Sequence, residues 1–196
     1  MTAMDDMLRL GGVLMERATH DLAGVVGALG GAIELAGDPD AAEIAAECVL
    51  LLRRRLRLMR AMWHAAGQPM PISELRELLP ALPGAGRVRF RLERLAGALP
   101  PPHVALALTA LVVAAEALPR GGVIELSDDL RIDIDGIGAA WPPGLATWLA
   151  DPAAAHRALC DAEPRDVAGA TLAAIAHRDR VAVGLAGSTT MRLRWA

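Results

Sequence analysis

Apolar residues recur at the helical spacing i, i+3, i+4, i+7 through the first third of the chain. On a wheel of 100° per residue, Met7, Gly11, Met15, Ala18, Leu22, Val25, Leu29, Ile33 and Ala36 fall within about 40° of one line. This predicts a first helix over 3–36 with a core-facing stripe. Gly37-Asp38-Pro39-Asp40 reads as a turn. A second helix then runs from Asp40 to about 66 and stops at Gly67, with Asp40 and Glu43 spaced as a capping-box variant. Its apolar positions are Ile44, Ala45, Cys48, Leu51, Leu52, Leu56, Met59, Met62 and Trp63. Two such helices joined by a short turn form an antiparallel hairpin. A hairpin of two helices cannot bury both stripes alone. The economical solution is a four-helix bundle with a second copy of the chain, so the patterning predicts a homodimer.

The pattern changes after Gln68-Pro69-Met70-Pro71, which reads as a linker. Ser73 is placed to cap a short helix ending near Leu79, and Pro80 to Gly86 reads as a loop. Arg87-Val88-Arg89-Phe90-Arg91-Leu92 alternates with period two, a strand with one basic face. Val104 to Leu118 is almost wholly apolar and must be a buried helix. Val123 to Leu126 and Leu130 to Ile134 predict a hairpin, Trp141 to Leu149 and Pro152 to Cys160 two helical pieces, and Asp166 to His177 another helix. Val181 to Leu185 and Thr190 to Trp195 predict a closing hairpin. The expected fold is α+β: a helical hairpin over 1–67, then a sheet with helices on one face over 68–196.

Composition mostly excludes. A net charge of −3 gives no electrostatic case for nucleic acid. Cys48 and Cys160 have no metal-ligand spacing and read as free thiols of a reducing compartment. The first ten residues carry Asp5 and Asp6 and no basic segment, unlike a secretory signal. The longest apolar runs, 104–115 and 22–33, are too short to span a bilayer. A soluble cytoplasmic protein with no membrane or nucleic-acid partner is therefore expected. All 20 basic residues are Arg, and the chain has no Lys and no Asn. Without Lys there is no Walker-type phosphate loop and no Schiff base.

The candidate chemistry sits on the first helix. His20 stands opposite the apolar stripe, with Asp21 beside it and Arg17 about one turn before it. Gly24, Gly27 and Gly31 lie within about 40° of His20 on the same side. Each Gly inside a helix costs up to about 1 kcal/mol relative to Ala, so three on one face need a reason. Either the bare face admits another protein to His20, or Gly27-x-x-x-Gly31 is a seam where two helices of this protein cross. Arg53, Arg54, Arg55, Arg57 and Arg60 read as a solvated face of the second helix in preference to a docking patch. His64, His103, His156 and His177 have no partner at metal spacing and read as structural or solvated.

A family resemblance follows from these residues. His20-Asp21-Leu22 on a long helix looks like the His-Glu/Asp-Leu acceptor motif of the dimeric histidine kinases, whose hairpin-then-sandwich layout this chain shares. Glu116-Ala117-Leu118-Pro119-Arg120-Gly121-Gly122-Val123 resembles the end of their ATP-lid helix and the Gly-Gly entry to the next strand. The positions of the two kinase Asn are Thr109 and Val113, however. Ile134-Asp135-Gly136-Ile137-Gly138 looks like a remnant of the Asp-x-Gly-x-Gly box with Ile at the adenine-binding position, and Asp135, Gly136 and Gly138 read as loop residues. Ile and Val cannot replace an adenine hydrogen bond or a magnesium ligand. An acceptor hairpin joined to a degenerate ATPase domain resembles the ChpT-type bacterial histidine phosphotransferases. Val25 departs from the Pro usual at that position.

The resemblance implies a relay. The receiver domain of a hybrid histidine kinase gives its phosphoryl group to His20, which passes it to the Asp of a response-regulator receiver. Magnesium then belongs to the receiver and this chain needs no cofactor. Asp21 would polarise the imidazole or be a surface carboxylate. Arg17 would steer the receiver or be a solvated cation. Gly24, Gly27 and Gly31 would let the receiver approach. The alternative is an inert dimeric adaptor that docks receivers or kinases. An active kinase is disfavoured by the absence of every Asn and Lys.

Overall fold

In the computed structural model of the chain, residues 3–35, 37–63, 68–92, 95–163 and 167–195 are described. The first helix, α1, runs Ala3–Glu34 and the second, α2, Pro39–Trp63, and they pack on each other as an antiparallel hairpin. The cap of α2 differs from expectation. Asp38 Oδ1 accepts from the Asp40 backbone N at 3.0 Å, so Asp38 is the N-cap, Pro39 takes the first helical position and Asp40 lies in the first turn. Ala36, His64, Gly67 and Asp166, on which expected helix ends or a candidate histidine fall, lie outside the described residues.

The expected linker is partly ordered. Met70–Pro71 forms a short strand, β1, antiparallel to Ala98–Leu99 (β3), and Met70 and Leu99 are buried there. Helix α3 (Ile72–Leu78) is preceded by Pro71 at the cap position with no side-chain cap. Ser73 therefore does not cap it, because the helix starts a residue earlier, where burial of Ile72 fixes the chain. Two 3-10 turns, Leu79–Ala81 and Ala85–Arg87, occupy the expected loop.

A five-stranded sheet follows. Its strands are β2 (Val88–Arg91), β4 (Gly122–Leu126), β5 (Arg131–Asp135), β6 (Val181–Ala186) and β7 (Thr190–Trp195), in the order β2-β4-β5-β7-β6. Only β2 and β4 run parallel. Between β3 and β4 lies α4 (Pro101–Glu116), and before β6 come α5 (Leu145–Ala150), α6 (Pro152–Asp161) and α7 (Val167–Asp179). Ile124, Leu126, Ile132, Ile134, Met191 and Leu193 form the buried face of the sheet. The expected helix from Trp141 is helical only from Leu145, because Pro142 to Leu145 form a turn, closed by the Leu145 N–H donating to the Pro142 carbonyl at 3.1 Å, with Gly144 left-handed.

Helix α4 is buried continuously from Val104 to Ala115 because it is contacted on several sides, by the sheet, by α7 and by α2. It joins the hairpin to the second unit, and Leu58 of α2 belongs to the same core. The Gly121-Gly122 pair has a local reason. Both have positive φ, and a Cβ would lie 2.3 Å from the Arg87 carbonyl at Gly121 and 2.1 Å from the Asp135 carbonyl at Gly122. Only glycine lets β4 begin between these two neighbours.

Candidate functional site

The middle of α1 positions the site. Ala18, Val25 and Ala32 are buried on the side that meets α2, and small side chains at i, i+7 and i+14 let the helices approach closely. The expected single stripe is in fact split. Ala18 and Val25 are buried and Leu22 and Leu29 half-buried, whereas Gly11, Met15 (67% exposed) and Ile33 (61% exposed) face outward. Of its other members, the Met7 side chain is not described. Leu8, Met15, Val26 and Ile33 form an exposed apolar line on α1, and Val49, Leu56 and Trp63 form another at heptad spacing on α2.

His20 lies about 140° around α1 from the buried line. Its side chain is 88% exposed, and its Nδ1 is 3.5 Å from Asp21 Oδ1. Gly24, Gly27 and Gly31 are exposed, and a Cβ at any of them would meet nothing within 4 Å. Within one chain they are therefore not a helix-crossing seam, and the face beneath His20 is open.

Asp21 and Arg17 are not solvated surface groups. Their side chains are 20% and 17% exposed, and Arg17 Nε is 3.7 Å from Asp21 Oδ2. The other end of the guanidinium donates from Nη2 to Oε1 of Glu116, the last residue of α4. The structure thus links His20, Asp21, Arg17 and Glu116 in sequence. Arg17 and Asp21 also line a pocket of about 60 Å³ between the hairpin and the second unit, together with Leu58, Trp63, Val112 and Val167.

Glu116 is the site residue that sequence reasoning missed. No periodicity signals a pairing of residues 99 apart. Arg53, Arg57 and Arg60 of the α2 arginine run are exposed, as expected of a solvated face. Arg57 donates to Glu74 at 2.8 Å and Glu77 at 3.4 Å, and these carboxylates raise its pKa and keep it charged.

The remaining candidates are dispersed. His103 lies in the first turn of α4, where burial lowers its pKa below the usual imidazole value. His156 Nε2 is 3.7 Å from Cys160 Sγ on α6, and His177 Nε2 lies 2.8 Å from the Trp148 carbonyl oxygen. Cys48 and Cys160 are free and buried. Thr109 is buried and its hydroxyl donates to the Ala105 carbonyl at 2.8 Å, and Val113 and Ile134 are buried too. Among the described residues no three His, Cys, Asp or Glu gather as a metal site, and no helix is long and apolar enough to cross a membrane.

An exposed imidazole with a carboxylate at one ring nitrogen and open space at the other can act as a nucleophile. When Nδ1 carries the proton and faces Asp21, the lone pair is on Nε2, toward solvent.

Comparison with known proteins adds two findings. The family model described as histidine phosphotransferase C-terminal domain matches residues 72–186. A solved structure described as a 1.7 Angstrom structure of a bacterial phosphotransferase is similar with a TM-score of 0.69 at 20% identity, over 99% of this chain and 98% of that one. At that identity the likeness is one of fold. No curated protein sequence matches the chain.

Proposed function

This chain belongs to the histidine phosphotransferase family, and from that premise we propose that it relays a phosphoryl group between receiver domains through His20. The observation that carries the reading is the acceptor geometry: an 88% exposed imidazole whose Nδ1 faces Asp21 at 3.5 Å, above three glycines with open space around them. The donor is the phosphorylated Asp of a hybrid-kinase receiver, and the acceptor is the Asp of a response-regulator receiver.

The step balances simply. The Nε2 lone pair attacks phosphorus, the N–P bond forms, and the P–O bond to the receiver's carboxylate breaks. That carboxylate leaves with the electron pair. The ring retains its proton on Nδ1, where Asp21 offsets the charge that develops. The second receiver reverses the step, its carboxylate attacking phosphorus and the neutral imidazole leaving. Transfer of this kind rests on positioning and charge placement more than on covalent work by the protein. Magnesium belongs to the receiver's aspartate site, and this chain supplies no cofactor.

Residues 1–67 act as the dimerisation and phosphotransfer unit. The exposed apolar lines on α1 and α2 support a four-helix bundle with a second copy. Met15 and Ile33 lie about 140° from His20 around α1, so the bundle leaves the acceptor free. Residues 68–196 act as a degenerate ATPase-like unit that does not bind ATP. In support, Thr109, Val113 and Ile134, at the positions where kinases ligate nucleotide, are turned into the core. The site of action is the cytoplasm, where the receivers are.

The test is chemical. After incubation with a phosphorylated receiver, the wild-type chain should gain one phosphoryl group in intact-mass spectra, labile to acid and stable to alkali. His20→Ala should gain none. A receiver that binds without ever labelling the chain would favour the inert adaptor.

A further inference from the structure

We infer that Glu116 is a positioning residue for the acceptor imidazole, acting through Arg17 and Asp21, and that this is what the second unit contributes to transfer. The inference rests on the reading of His20 as the acceptor and goes beyond it. Residues 72–186 carry the family likeness, yet the groups at the acceptor so far named all lie on α1. Glu116 is the exception, a carboxylate at the end of α4 whose side chain is 25% exposed and whose Oε1 accepts from Arg17 Nη2.

Among the described residues, two ion pairs tether α1 to the second unit. One is peripheral: Arg9 to Asp161 at 3.8 Å, between side chains about half or more exposed. The other, Arg17 to Glu116, is largely shielded from solvent and lies one residue link from His20. A shielded ion pair responds strongly to loss of one partner.

The electrostatics give the pair a direction. Arg17 is shared between two carboxylates. Nη2 donates to Glu116 Oε1, while Nε lies 3.7 Å from Asp21 Oδ2. Asp21 thus lies between the guanidinium, on its Oδ2 side, and His20, whose Nδ1 is 3.5 Å from Oδ1. When the Glu116 charge is removed, the guanidinium shifts toward Asp21 and can pair with it through two nitrogens. Asp21 then becomes a poorer acceptor for Nδ1–H. The imidazole loses the bias that keeps the Nε2 lone pair free.

The experiment uses the full chain with Glu116→Gln, which preserves shape and removes charge, and Glu116→Asp, which keeps the charge one methylene further back. Circular dichroism confirms that each folds. Two readouts are taken: single-turnover transfer from a phosphorylated receiver over a range of concentrations, and the Nδ1–H/Nε2–H tautomer ratio of His20 by ¹⁵N NMR, with His20→Ala assigning the signal. Glu116→Gln should slow saturating transfer about tenfold, leave the half-saturating receiver concentration within about twofold, and move the His20 ratio toward Nε2–H. Glu116→Asp should recover much of both. A wild-type tautomer ratio in Glu116→Gln, with or without a lower melting temperature, would overturn the inference and leave the pair a structural tether. If the wild type accepts no phosphoryl group, the relay reading fails, and the tautomer ratio still decides whether Glu116 positions the ring.

Discussion

Replacing Gly24, Gly27 and Gly31 together by Ala should make the chain more stable and worse at its task. Each of these glycines sits inside α1 with ordinary helical backbone, and a Cβ at each would meet no atom within 4 Å. Nothing clashes, so the helix-propensity gain of about 0.8–1 kcal/mol per Gly→Ala change is available in principle. Part of that gain comes from the unfolded chain, which loses freedom, and measured values of about 0.4–1 kcal/mol apply. The three together give about 1–3 kcal/mol. For a domain of this size that raises the melting temperature by about 3–10 °C, read by circular dichroism at 222 nm. The same three methyls would stand on the face a receiver must cover to reach His20. Overfilling a closely packed contact costs about 1–3 kcal/mol, or about 5- to 150-fold in receiver affinity, read as the half-saturating concentration for transfer. A drop in melting temperature would refute the open face, since it would mean the glycines are packed against something in the native assembly. Unchanged receiver affinity would refute the docking role.

Other outcomes follow from the same structure. Leu58→Ala opens the core where α2 meets the second unit, a residue 4% exposed, and should lose about 2–5 kcal/mol in denaturant titration. Met15→Glu with Ile33→Glu places charge on the exposed line of α1 and should turn a dimer into a monomer in sedimentation, with circular dichroism retained. His103 has a folded pKa depressed by burial, so protonation favours the unfolded chain. Its penalty sets in as pH falls through the ordinary imidazole range and is absent above it. His103→Gln should flatten the fall in melting temperature between pH 7.5 and 5.5.

Local periodicity carried most of the fold. The hairpin, the buried α4 and both antiparallel strand pairs follow from runs in which one period dominates, and the structure has them within a few residues. Element ends were harder to read because they depend on competition. Ser73 is a good cap by type, yet Ile72 is pulled into the helix by burial. The spacing of Trp141 to Leu149 is helical, but Pro142, Pro143 and Gly144 delay the helix to Leu145. Gly121-Gly122 was legible as a motif, while its cause, the Arg87 carbonyl before β2 and the Asp135 carbonyl at the end of β5 within 2.3 Å of a Cβ, is tertiary. At the site, the position of His20 and the glycines on one face of α1 could be read from the wheel, because a helix fixes its own angular order. The state of Arg17 could not. A cation on a polar face looks solvated until a carboxylate 99 residues away is brought to it by packing α4 beside the hairpin.

The relay itself is tested most directly by pulse and chase. A radiolabelled phosphorylated receiver is mixed with the full chain, the receiver is removed, and a fresh unphosphorylated receiver is added, for wild type and His20→Ala in parallel. The account predicts acid-labile label on the wild type alone, leaving it for the second receiver on addition. No label on the wild type across cognate receivers, or equal label on His20→Ala, would contradict it.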